Sequence, residues 1–228
     1  MDYDSPTKEK LLNHLLSFVS EERKKRFNEV LQHRTRYIAV VLEDIYQPHN
    51  ASAVLRSCDL TGVQDVHIIE NKNEYEVNPE VALGSSKWLS LVKYNSKENN
   101  TTDAIKSLKK EGYIIVATTP HKDARNLDSL PLDNKVAIMF GTELTGLSEA
   151  AINSADVNLR IPMYGFTESY NISVSAAITL FTLSQRLRKS NINWELSSDE
   201  VIDTLLEWAR RSILKSEIVE KHFINNVM

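Results

Sequence analysis

The chain has 228 residues, with 27 Lys/Arg against 31 Asp/Glu for a formal net charge of −4, and it is 42% hydrophobic and 25% charged. This is the composition of a soluble globular protein able to bury a sizeable core, and it excludes a uniformly basic nucleic-acid coat, so RNA binding would need a local patch. No apolar run approaches the ~20 residues of a membrane span, the charged N-terminus lacks a signal-peptide core, and the single cysteine, Cys58, points to a reducing cytoplasm.

Ser5-Pro6 marks a helix start, and Leu11, Leu12, Leu15, Leu16 and Val19 continue at helical spacing. A second helix is expected over about 20–32. Residues 20–36 hold six Lys/Arg against three Glu, which is either a solvated helix face or an RNA-contacting patch. Tyr37–Leu42 is a continuous apolar, β-branched run of the kind that forms a buried parallel strand. A helix over about 50–60 closes at Gly62, and strands follow at 66–69, 89–94, 113–118 and 136–140. Residues 70–80 are polar and irregular. Helices are expected over 101–110, ended by Gly112, and near 148–153. The run Val157–Ile161 stops at Pro162, which cannot donate to a ladder. From Asn171 the chain turns apolar and small, as a buried helix would. Strands alternating with helices predict an α/β fold with a largely parallel sheet. Ser197-Ser-Asp-Glu200 is a capping box, followed by one apolar face of Val201, Leu205, Trp208 and Ala209, with Arg210, Arg211 and Lys215 beyond it.

Several familiar chemistries are missing. Gly141 to Ser148 has the glycine spacing of a phosphate loop, but Leu147 stands where a lysine must reach the phosphates. There is no G-x-G-x-x-G. The six histidines, at 14, 33, 49, 67, 121 and 222, never pair at metal-ligand spacing, so no metal site is expected.

Three ordered stretches carry a resemblance. Asn50-Ala-Ser-Ala-Val-Leu-Arg56, Phe140-Gly-Thr-Glu-Leu-Thr-Gly-Leu-Ser148, and Ile161-Pro-Met-Tyr-Gly-Phe-Thr-Glu-Ser-Tyr-Asn-Ile-Ser-Val-Ser-Ala-Ala177 resemble the three signature motifs of the SpoU/TrmH family. These are SPOUT-class RNA ribose 2′-O-methyltransferases that use S-adenosyl-L-methionine. Tyr170 stands where the family has leucine. The resemblance implies an α/β-knot domain at 37–190 with a C-terminal trefoil knot, flanked by helical extensions at 1–36 and 191–228. Hydrophobic periodicity could not reveal a knot.

The same resemblance implies the site. Cofactor loops end in Thr118, surround Gly141 and run from Ile161 to Tyr170. Three of the six glycines, 141, 146 and 165, fall in the second and third motifs, where backbone must approach closely. Arg56 is the residue expected to carry the chemistry, either as the base for the ribose proton or as a bidentate phosphate clamp. The second role suits a group that stays protonated. Asn50 orients Arg56 or touches the cofactor, or is simply a helix cap. Glu143, Ser169 and Asn171 shape the cofactor loops and nucleotide site. Capping explains Ser169 and Asn171 equally, and loop-tying explains Glu143.

The implied activity is ribose 2′-O-methylation of tRNA, with a D-loop guanosine as target and a homodimer as the working form. Ribosomal RNA as substrate and a catalytically silent RNA-binding module are the alternatives.

Overall fold

Six consecutive buried residues, Ile38–Glu43, form the central strand (β1) of the computed structural model. The structure describes residues 4–227 except 77, 83, 121 and 122, and leaves the side chains of 79, 80, 226 and 227 undescribed. His121 of the histidine set therefore lies outside the described residues.

β1 pairs in parallel with β2 (Asp65–Ile69) and with β6 (Val136–Phe140), in registers that set Val40 against Val66 and Ile38 against Val136. With β3 (Ser90–Tyr94), β4 (Ile114–Thr118), β5 (Arg125–Asn126) and β7 (Val157–Arg160), the order is β3-β2-β1-β6-β4-β7-β5. Every named pair is parallel. The expected largely parallel α/β sheet is what forms.

A strand covered on both faces explains why β1 reads as an unbroken apolar run. Ile38, Val40 and Leu42 face α3 (Pro48–Thr61) and α7 (Ile172–Arg188), in a core with Val54, Leu55, Leu180 and Leu183. Ala39 and Val41 face the other way, toward α5 (Thr101–Lys110) and α6 (Glu149–Ser154), with Ile105, Leu108 and Ala151. Each such large aliphatic side chain contributes about 1.5–3 kcal/mol on burial. Gly62, at φ 85°, ends α3 in the left-handed conformation as its position predicts. Sequence reasoning missed two features here. The two-residue β5 is too short to show a period, and a four-residue helix, α4 (Pro79–Ala82), interrupts the stretch read as irregular.

These elements belong to a unit of residues 35–194. Residues 1–34 and 195–228 make a second unit, in which the two terminal segments group together. It is built from α1 (Ser5–Leu16), α2 (Glu21–Leu31), α8 (Ser198–Ser212) and α9 (Ser216–Val227). Its core holds Leu11, Leu15, Phe27, Leu206 and Trp208, with the Phe27 and Trp208 rings 5.4 Å apart. The Ser197–Glu200 capping box closes in both directions. Leu206, not the expected Leu205, is the buried leucine of α8: the buried face keeps the expected Trp208 and Ala209 and takes in Thr204. Lys215, at φ 58°, breaks the C-terminal segment into two helices.

His67 on β2 is nearly inaccessible, its Nδ1 3.1 Å from the Tyr94 hydroxyl. Burial, helped by the nearby Arg36 guanidinium, pushes its pKa down from 6.5 to about 4. Unfolded chains bind this proton near pH 6.5 and the folded protein does not, so stability is full above that pH and declines as pH falls toward 4. Between pH 7.5 and 5 the expected loss is about 2 kcal/mol from this residue. Denaturant titrations of parent and H67Q across that window check it: the variant should lose less, and equal slopes would remove His67 as the cause.

Candidate active site

β6 ends at Phe140, and the chain turns back on itself at once. A Cβ on Gly141 would lie 2.2 Å from the Gly146 carbonyl carbon and 2.3 Å from the Leu147 nitrogen, so only glycine permits the crossing. The Thr142 and Gly146 backbones exchange hydrogen bonds of 3.0 and 3.1 Å, with Gly146 at φ 70°. The Thr142 hydroxyl accepts from the Thr145 amide at 3.1 Å. Leu147, at the position a phosphate loop gives to lysine, is buried in the core cluster with Ile105 and Ala151. At the base of this hairpin the Glu43 carboxylate accepts from the Ser148 amide and hydroxyl, both at 2.8 Å, and from the Thr101 hydroxyl at 2.5 Å. Glu43 went unnoticed in the sequence, although a carboxylate closing an apolar strand is a visible signal.

Beyond the carboxyl ends of β4, β6 and β7 lies a cavity of about 430 Å³, within the range of small-molecule sites. Its lining includes Thr118, Gly141, Glu143, Ile161, Ser169 and Tyr170, six of the nine residues expected at the site. Phe140, Leu159 and Ile172 give it apolar walls. Thr118 is held in place by donating its hydroxyl to the Met139 carbonyl at 2.7 Å. Tyr170 is 44% exposed, so a side chain wider than leucine is accommodated at the mouth.

Asn50 is 4% exposed and is not a helix cap, because Pro48 begins α3 and Gln47 holds the cap position. Its side-chain amide is thereby left to bridge. Nδ2 donates to Glu143 Oε1 at 2.5 Å and to Gln47 Oε1 at 3.1 Å, while Oδ1 accepts from Asn171 Nδ2 at 3.3 Å. Asn171 also caps α7, its Oδ1 accepting from the Ser173 amide at 2.9 Å. The capping reading of Asn171 therefore holds, and the same side chain also reaches Asn50. Ser169 caps nothing and stands on the cavity wall. Glu143 accepts from a side-chain amide rather than tying its own loop.

Arg56 is not part of this network. It lies six residues beyond Asn50, about 120° around the helix, and is exposed on the same outward face as Leu60. It has no hydrogen bond or ion pair among the described residues.

In the helical unit two cations of the 20–36 run, and Arg210 of the C-terminal pair, are held by carboxylates. Lys24 pairs with Glu21 at 2.6 Å, Arg26 with Glu29 at 3.3 Å, and Arg210 forms a two-pronged pair with Glu220 at 2.9 and 2.7 Å. Arg210 ties α8 to α9. Lys25 is exposed and unpaired among the described residues. Among those residues no helix is long and apolar enough to cross a membrane.

The sequence model of the SpoU rRNA Methylase family matches residues 37–181. The chain is 46% identical over 211 residues to a tRNA (guanosine(18)-2′-O)-methyltransferase of Borreliella burgdorferi, covering 92% of this chain and 95% of that one. It is 33% identical to the enzyme of the same name from Thermus thermophilus, over 84% of this chain and 98% of the relative. Among solved structures, an A. aeolicus TrmH/SpoU tRNA modifying enzyme superposes with a TM-score of 0.76 at 31% identity, over 86% of this chain and 98% of that one. The match spans all three motifs and both strand-rich halves of the sheet, and the chain belongs to the SpoU methylase family.

Proposed function

We propose that this protein is an RNA methyltransferase that moves a methyl group from S-adenosyl-L-methionine to a ribose 2′-hydroxyl of tRNA, with a D-loop guanosine as target. One observation carries the reading: Glu143 lines the cavity and is hydrogen-bonded to Asn50, which is bonded in turn to Asn171, so one residue from each motif converges at the cavity edge. The cavity suits the cofactor, with apolar walls for a planar base and, along one side, backbone of the hairpin whose tight crossing at Gly141 a Cβ would block.

When bound, S-adenosyl-L-methionine supplies a methyl carbon that is already electrophilic. The chain's task is then alignment and management of one proton. Thr118, Gly141, Ile161 and Tyr170 hold the cofactor. Asn50, Glu143 and Asn171 form a fixed polar edge against which the nucleotide is set, with Ser169 beside it. Arg56, exposed and unpaired, is available to grip the phosphate next to the target ribose. Transfer RNA is the substrate because the relatives that span more than four-fifths of this chain are named for it.

The working form is a homodimer. Leu60, Val174 and Phe181 are exposed large apolar residues on α3 and α7, with Tyr164 and Phe166 exposed on the preceding loop. Such a surface favours a partner copy, and it would bring Arg56 to the interface. The unit of residues 35–194 is the methyltransferase domain, with the trefoil knot of the family at its C-terminal part, and the helical unit meets RNA through groups such as Lys25. Cys58, the single cysteine of the sequence, cannot close a disulfide within the chain, which agrees with a cytoplasmic setting.

Incubation with radiolabelled S-adenosyl-L-methionine and, in parallel, unmodified tRNA or unmodified ribosomal RNA, followed by nucleoside mapping, tests the reading. Expected is one 2′-O-methylguanosine per molecule in the D loop. Label found only in ribosomal RNA would move the substrate, and no labelled RNA together with no cofactor binding would leave a silent module.

A further inference from the structure

Thr179 sits two turns into α7, fully buried, on the lining of the cavity. Its Oγ1 has no hydrogen-bond partner among the described residues. Helical threonines usually return the hydroxyl to a carbonyl one turn back, and this chain does so elsewhere: Thr61 donates to the Ser57 carbonyl and Thr204 to the Glu200 carbonyl, each at 2.7 Å. Thr179 makes no such bond. One turn earlier on the same face, Ser175 is half-buried and lines the same cavity. A buried hydroxyl left without a partner is costly unless something else satisfies it. The neighbouring wall residues Phe140, Leu159 and Ile172 offer no side-chain hydrogen-bonding group.

We infer that Thr179 is a cofactor-binding residue, its buried hydroxyl, which the protein leaves unsatisfied, forming a hydrogen bond with the adenosyl group that fills the cavity. The inference rests on the cofactor reading proposed above. Binding then satisfies a polar atom that the fold leaves unsatisfied, so stability and affinity respond to this hydroxyl with opposite signs. A purely structural threonine has no reason to behave so.

The test uses the full chain, S-adenosylhomocysteine as probe, calorimetry for affinity and thermal melting without ligand. T179V removes the hydroxyl at nearly constant shape. Expected is S-adenosylhomocysteine binding about 5–10-fold weaker, the size of one neutral hydrogen bond, with a ligand-free melting temperature equal to the parent's or higher. T179S, which keeps the hydroxyl, should bind within about twofold of the parent. Where T179V does not fold, T179A set against T179S provides the same comparison. Parental affinity in the hydroxyl-free variant overturns the inference, and so does a clear drop in its ligand-free melting temperature, which would reveal a partner within the protein. Failure of the parent itself to bind S-adenosylhomocysteine would instead strike the cofactor reading, a result that no Thr179 variant could produce.

Discussion

Replacing Arg56 by alanine is expected to lower single-turnover methyl transfer by about 10²–10⁴-fold, the range of a positioned group that aligns substrate or handles its proton. Stability should barely move. Arg56 is exposed, touches none of the Asn50–Glu143–Asn171 network and makes no ion pair among the described residues, so its loss is a surface change within about ±0.5 kcal/mol. Alanine also favours the helix it sits in. Affinity for S-adenosylhomocysteine should stay near that of the parent, because Arg56 is not on the cavity wall.

Lysine at this position separates the two roles. It keeps the charge and loses the two-pronged fork. If Arg56 grips a phosphate, R56K recovers part of the rate and its pH–rate profile matches the parent's. If Arg56 takes the ribose proton, the R56K profile moves to lower pH, because an ammonium gives up its proton more readily than a guanidinium. Parental single-turnover rates in both variants would falsify any part for Arg56 in the transfer.

How the sequence foreshadowed this site differs from residue to residue. The strands around the cavity were legible because burial on both faces makes each an uninterrupted apolar run, as in Ile38–Glu43 and Val136–Phe140. Gly141 and Gly146 stood out because few glycines occur and two fall within six residues. The bond from Asn50 to Glu143 joins residues 93 positions apart, and that from Asn171 to Asn50 spans 121. Periodicity carries no information over such separations, and only the family resemblance put these residues in one place. Thr179 was hidden for a different reason. A single hydroxyl in an apolar helix looks like a tolerated substitution until its partner is sought and not found. The helical unit shows the same limit. Capping marked where α8 begins, but nothing in Leu214-Lys215 announces the break before α9, since no glycine or proline is present there. The charge run at 23–26 was visible, whereas the pairing of Lys24 with Glu21 and of Arg26 with Glu29 is local geometry that had to be seen.

Gly141 should be the least replaceable of the three glycines in the second and third motifs, and a short series of alanine variants tests whether the crossing at this point shapes the cofactor site. In G141A the new methyl would stand 2.2–2.3 Å from backbone atoms of Gly146 and Leu147, which no rotamer change can relieve. The hairpin must open, and both hydrogen bonds between Thr142 and Gly146 are at risk. Expected is a stability loss of about 3 kcal/mol or more, with S-adenosylhomocysteine binding weakened by at least 100-fold, because this backbone is a wall of the cavity. G146A meets open space but must hold a φ of 70°, a strain of roughly 1–2 kcal/mol for a residue with a side chain. Its binding defect should be correspondingly smaller. At Gly165 the nearest atom to an added Cβ is the Thr167 nitrogen at 4.0 Å, an ordinary contact, so G165A should change stability by less than about 0.5 kcal/mol. Chemical denaturation and calorimetry on the three variants give the order directly. A G141A protein that folds with parental affinity would mean that the cofactor does not rest against this crossing. Equal losses at 141 and 146 would mean that the left-handed turn, rather than the close approach, is what the hairpin requires.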